Sequence, residues 1–132
     1  MAYIWPGQTE RLQRMEAALS LAADDPPLVE RAEAADWVES RVATAPEPGR
    51  CRVLCHSIAM QYFPEATKAR IARHAERIGA LATPQAPFAW LQFEMDEDAR
   101  PTLSLRSWPG GGTERLATGN AHGTRIDWLH GG

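Results

Sequence analysis

Lysine is almost missing from this 132-residue chain: of 14 cationic side chains, Lys68 alone is lysine and the other 13 are arginine. With abundant alanine beside it, this reads as the codon bias of a GC-rich bacterial genome. Positive charge is not in excess either. The formal net charge is −3, and nucleic-acid binders normally show a basic surplus or stripe, so composition argues against a nucleic-acid partner. No stretch approaches the ~18 consecutive apolar residues of a membrane span. The opening, MAYIWPGQTERL, lacks a charged leader followed by an apolar run and does not read as a signal peptide. The expected compartment is the cytoplasm, with no membrane partner. Cysteine is scarce, and Cys51 and Cys55 sit in one strand-like run. Four residues of strand rise separate them by about 13 Å, whereas a disulfide needs Cα atoms within ~7 Å. They read as small reduced hydrophobes. A metal role would need more ligands than the nearby His56 supplies, and no spacing among the four histidines suits a metal.

What is present is ordinary for a folded domain: 44% apolar and 23% charged residues. The length fits one domain spanning residues 1–132. Thr9 as an N-cap, then Leu12, Met15, Leu19 and Ala22 at helical spacing, predict a helix over 9–23. Asp24-Asp25-Pro26-Pro27 stops it. Residues 28–32, around Val29, are a short strand candidate, and Ala34 to Val42 reads as a helix. After a loop at 45–49, CRVLCH (51–56) has the unbroken apolar run of a strand covered on both faces. Pro64-Glu65 opens a helix with Ile71, Ala75 and Ile78 on its inner stripe, ended by Gly79. PFAWLQFEM (87–95) is a second buried strand. Beyond the polar turn at 96–101 the pattern alternates: strands are predicted at 103–106, 115–118 and 125–129, with a hairpin turn at Pro109-Gly110-Gly111-Gly112. This order predicts an α/β fold: an open sheet of parallel strands joined by crossover helices, followed by an antiparallel carboxy-terminal edge.

In an open parallel sheet, ligands bind beyond the carboxyl ends of the strands. That rule selects Glu33, Ala34 and Asp36, then His56, Ser57, Gln61 and Tyr62, then Glu94, Asp96 and Glu97. His56-Ser57 is the most chemical pair, because histidine changes charge near neutral pH and can act as acid or base. The alternative is that both residues simply end a strand. A serine hydrolase is disfavoured: no G-x-S-x-G elbow exists, and neighbouring strand residues point to opposite faces. Trp37 either stacks on a flat ligand beside Glu33 or covers the core. His74, in a basic helix, and His130, in the tail, are expected in solvent. His122-Gly123 reads as a turn.

The order of several short patterns resembles the carboxy-terminal half of a bacterial domain-of-unknown-function family (2332). The patterns are Tyr3-Ile4-Trp5-Pro6-Gly7-Gln8, Asp25-Pro26-Pro27, Ala34-Ala35-Asp36-Trp37, Cys55-His56-Ser57 with Gln61-Tyr62, Trp108-Pro109-Gly110-Gly111, and His122-Gly123. The resemblance implies a partial Rossmann-like, methyltransferase-like sheet. It implies S-adenosylmethionine only with upstream residues, because the Gly-rich turn and ribose-binding acid of such folds would precede Met1. Glu33, Ala34 and Trp37 would then flank the adenosine, His56 would orient or deprotonate an acceptor, and Ser57 and Tyr62 would shape the pocket. The family usually has Gly-Asp where this chain has Ala32-Glu33. Such a half-fold leaves strand 51–56 with an open side. Strand 28–32 closes it, or a partner (an upstream polypeptide or a second copy) supplies a strand, or the chain is a marginally stable truncation. Three functions follow: an enzyme fragment inactive alone, a non-catalytic module docking through the open edge, or a small-molecule binder.

Overall fold

The computed structural model describes residues 7–122 and 124–129. Tyr3 to Pro6, Gly123 and His130 lie outside the described residues. The chain divides into two compact units, residues 1–31 and 32–132.

In the first unit, helix α1 spans Thr9–Asp24. Gln8, not Thr9, takes the N-cap position, and Arg11 Nη1 donates to Gln8 Oε1 at 3.1 Å. The apolar stripe expected from sequence is present, yet no residue of α1 is buried, and Leu12, Met15 and Leu19 are exposed. The predicted strand at 28–32 does not form. The segment after Pro26-Pro27 is irregular, with Leu28 and Val29 89% and 84% exposed. Pro26 and Pro27 remove two backbone donors at its entry, and the apolar run is only Leu28 and Val29.

The second unit begins with helix α2, Ala34–Arg41. Glu33 caps it: its Oε2 accepts from the Asp36 N–H at 2.9 Å, satisfying one of the donors a helix start leaves open. Strand β1, Arg52–Ser57, leads through a 3-10 turn at Met60–Tyr62 into helix α3, Glu65–Gly79, and then strand β2, Phe88–Met95. β1 and β2 pair in parallel, Leu54 opposite Trp90 and His56 opposite Gln92. From β2 the chain runs as an antiparallel meander: β3 Pro101–Trp108, β4 Thr113–Gly119 and β5 Ile126–Trp128. The strand order is β1-β2-β3-β4-β5. The unit is therefore a mixed open sheet with one parallel pair, not the run of three parallel strands expected. The hairpin turn between β3 and β4 holds Gly110 and Gly111, both at positive φ, a conformation glycine adopts without a Cβ clash.

Alternation sorts the sheet into two faces. Leu54, Phe88, Trp90 and Trp108 share one face and pack in one cluster with Ala35, Val38 and Val42 and with Ile71, Ala75 and Ile78 of α3. Phe88 and Trp108 stack with centroids 5.3 Å apart. Burying each such side chain stabilises the fold by about 3 kcal/mol. Gly79 does not act as a left-handed stop. It lies under Trp108, where an added Cβ would come within 2.5 Å of the indole ring. His74 is not in solvent as expected: it is 7% exposed, its Nε2 lies 2.9 Å from the Val42 carbonyl, and Arg77 Nη2 lies 3.2 Å from its Nδ1. The stripe of α3 is wide enough to take in position 74 because Ala75 and Ile78 flank it on the buried side. Arg70 joins the helices from outside through Glu33, Asp36 and Glu39. Its hydrogen bond and charge hold Glu39 below the usual carboxylate range, and Glu39 and Asp36 in turn raise Arg70. The opposite face carries Val53, Cys55, Leu91, Phe93, Leu103 and Leu105, and none of these belongs to the helix-covered core. Among the described residues no helix is long and apolar enough to cross a membrane.

Candidate functional site

Three features meet where β1 and β2 end. The first is a hydrogen-bonded chain on the helix-covered face. The Trp90 indole N–H donates to His56 Nε2 at 2.9 Å, and His56 Nδ1 lies 2.7 Å from Glu94 Oε1. An indole nitrogen only donates, so His56 Nε2 carries the lone pair and the ring proton sits on Nδ1, donated to Glu94. The same Glu94 oxygen also accepts the Ala59 and Met60 N–H groups at 2.8 and 3.2 Å. Glu94 therefore orients the imidazole and pins the turn that follows β1. Both ring nitrogens of His56 are engaged, so proton exchange with a ligand requires the Trp90 bond to open.

The second feature is backbone strain in that turn. Ile58 has φ of 47°, an outlier for a β-branched residue that costs about 1–3 kcal/mol. It is held there by its N–H bond to the Phe93 carbonyl at 2.8 Å and by the two amides that Glu94 receives next.

The third is a polar cleft of about 530 Å³ over the carboxyl half of β2 and the facing parts of β3 and β4. Glu94, Asp96, Thr102, Ser104, Arg100 and Arg115 contribute to its walls. Asp96 is the organising group. It accepts the Asp98 and Arg100 backbone N–H groups and pairs with Arg100 and Arg115. The Arg100 backbone bond, with that residue's charge, holds the Asp96 carboxyl below its ordinary value. Glu94 stands in the wall of this cleft, and its second oxygen has no hydrogen-bond partner among the described residues. The site can bind a small polar molecule with hydrogen-bond donors. Among the described residues no group of three His, Cys, Asp or Glu side chains has the geometry to hold a metal ion.

Glu33, Ala34 and Trp37 form a separate group on α2. Both carboxylate oxygens of Glu33 are engaged, one by Asp36 and one by the Thr67 hydroxyl at 2.9 Å. Ala34 packs against the core. Trp37 is partly exposed, with the Arg41 guanidinium 6.0 Å from its ring centroid. His56 and Ser57 are adjacent but face opposite sides of the sheet: Leu54 and His56 share the helix face, and Ser57 is exposed on the other. Tyr62 stands on the 3-10 turn, 75% exposed. The structure thus brings His56 together with Glu94 and Trp90, not with Ser57. Sequence reading placed Glu94 beyond its strand but did not pair it with His56. The two are 38 positions apart, and only the parallel register joins them.

At the edge of the sheet, β1 has one neighbour. Arg52 N donates to the Pro87 carbonyl and Ile58 N to that of Phe93. Residues of that parity turn their main chain toward β2, so Val53, Cys55 and Ser57 turn theirs outward. Among the described residues of the 32–132 unit, no backbone group meets them. The side chains of all three are exposed.

The sequence pattern of a bacterial family, described as "Uncharacterized protein conserved in bacteria (DUF2332)", matches residues 1–128. No curated protein and no solved structure matches the chain. With nearly every residue covered by the family pattern, the chain belongs to the DUF2332 family of bacterial proteins.

Proposed function

We propose that this chain is a non-catalytic docking module that receives another polypeptide strand along the open side of β1. The observation that carries the reading is the row of outward main-chain groups at Val53, Cys55 and Ser57, on a regular strand whose side chains there are exposed. Exposed edges are ordinarily blunted by lysine, proline, a bulge or an inward charge, and β1 has none of these at its outward positions. A docked strand would gain main-chain hydrogen bonds along the edge, the usual mode of strand addition. The free thiols of Cys51 and Cys55 suit a reducing compartment such as the cytoplasm.

Amide hydrogen exchange tests the reading. The Cys55 and Ser57 amides exchange rapidly in the dilute chain. They become protected in an assembled state, either in concentrated solution or after co-expression with the polypeptide encoded immediately upstream. Val53→Pro, which removes an outward donor and is tolerated on an edge strand, abolishes the protection. Rapid exchange at both amides in every sample removes the reading.

A second reading, the carboxy-terminal part of a methyltransferase-like fold, is favoured by the parallel β1–α3–β2 unit, whose second strand carries the cleft over its carboxyl half. In that reading the docked strands come from the upstream part, which also brings the S-adenosylmethionine loop. Titration calorimetry with S-adenosylmethionine separates the two: heat from the co-expressed complex supports the enzyme reading, and none leaves the docking role alone.

A further inference from the structure

Resting on the docking reading, we infer that the strand received by β1 is the β1 of a second copy of this chain, running antiparallel, with the two Cys55 residues facing each other across a two-fold axis. The register follows from which groups point outward. In an antiparallel pair, outward-facing residues meet outward-facing residues and exchange both main-chain bonds. Only Val53, Cys55 and Ser57 qualify in β1, and Cys55 is the middle of the three. Self-pairing therefore sets Cys55 against Cys55 and Val53 against Ser57, giving about six hydrogen bonds in three pairs.

The strand is suited to this by its ends and its charges. Ile58, in the left-handed region, carries the chain out of the strand directly after Ser57, so the paired stretch ends where the outward residues end. The three meeting side-chain types are uncharged, and no like charges face each other across the seam. Arg52, the one formally charged residue of β1 apart from the titratable His56, falls opposite the uncharged Ile58 of the second strand, so no like charge faces it at either end. A two-fold arrangement closes on itself and does not propagate. It converts two edges into the middle of one ten-stranded sheet, with the Val53–Cys55–Leu91–Phe93 face continuous across the junction.

The register makes a chemical prediction. Facing residues of a hydrogen-bonded pair have Cα atoms about 5.5 Å apart, so the two Cys55 thiols lie within reach of a short bifunctional thiol cross-linker. Sedimentation of the full chain should show twice the monomer mass. Treating that sample with a short bismaleimide should give a covalent dimer in Cys51→Ser and none in Cys55→Ser. Val53→Pro should lose the dimer while keeping the circular dichroism of the parent; should that variant fail to fold, the cross-linking pair alone decides. A chain that sediments as a monomer up to several hundred micromolar overturns the inference, as does a dimer that cross-links only through Cys51. If the chain alone is monomeric but its Cys55 and Ser57 amides are protected by the co-expressed upstream polypeptide, the second-copy inference fails and docking stands. If they are unprotected everywhere, both fall.

Discussion

One carboxylate oxygen at Glu94 accepts three donors, from His56, Ala59 and Met60, and so does more than orient an imidazole. Removing it leaves these donors unpaired around a strained turn, and an unsatisfied, largely buried donor costs about 1–3 kcal/mol. Glu94→Ala is expected to lower stability by about 2–3 kcal/mol in urea titrations, whereas Trp90→Phe, which frees only the indole bond, should cost less. Asp96 makes a separate prediction about acid. The Arg100 backbone N–H, with that residue's guanidinium, favours the charged form and holds the carboxyl below its ordinary value. A group whose pKa is lower folded than unfolded stabilises the fold at higher pH, and that stabilisation disappears as pH falls through the lowered value. Acid should therefore loosen the β2–β3 turn below about pH 4, and Asp96→Asn should be less stable than the parent at pH 7 but show a flatter acid limb. Thermal unfolding followed from pH 7 to pH 2 measures both.

At the level of elements, α3 and the sheet are held together by a close approach that only glycine permits. Gly79→Ala would drive a methyl group into the Trp108 ring, which is itself stacked on Phe88. Overpacking of this kind typically costs 1–3 kcal/mol. The expected outcome is a lower thermal midpoint with faster exchange in α3, and Trp108→Leu in the same background should recover part of the loss. Sequence reading located α3 and β2 because each signal is local: Ile71, Ala75 and Ile78 repeat at helical spacing, and PFAWLQFEM is an apolar run between turn residues. It placed Gly79 at the right boundary for the wrong reason, since its constraint comes from Trp108, 29 positions away. It misread 28–32 because Leu28 and Val29 satisfy a strand pattern locally, while strand formation depends on pairing that no local pattern encodes. It also put His74 in solvent, because the arginines around it on α3 hide the carbonyl of Val42 that the ring reaches in space. The candidate site was half legible. His56 and Glu94 were each placed at a strand end, but their bond depends on register, which no local pattern encodes.

For the 32–132 unit as a whole, the sheet is built unevenly. One face carries two helices and nearly all of the core, the other face carries apolar side chains without a helix, and one margin is an unprotected strand. A second copy at that margin would couple folding to association, because anything that binds only the native state stabilises it by mass action. The thermal midpoint should therefore rise with protein concentration, and Val53→Pro should remove the dependence. The register described for β1 and β2 bears on a different matter, how the chain is made. Arg52 pairs with Phe88, a residue translated 36 positions later, whereas each strand from β2 onward pairs with its immediate successor. Pairings distant in sequence form late because a large loop must close first. On the ribosome, β1 emerges without its template and stays bare until α3 and β2 have followed. A pause in translation between residues 58 and 87 is thus the interval in which the nascent chain is most exposed to mispairing, and chaperone protection of this protein should matter most there.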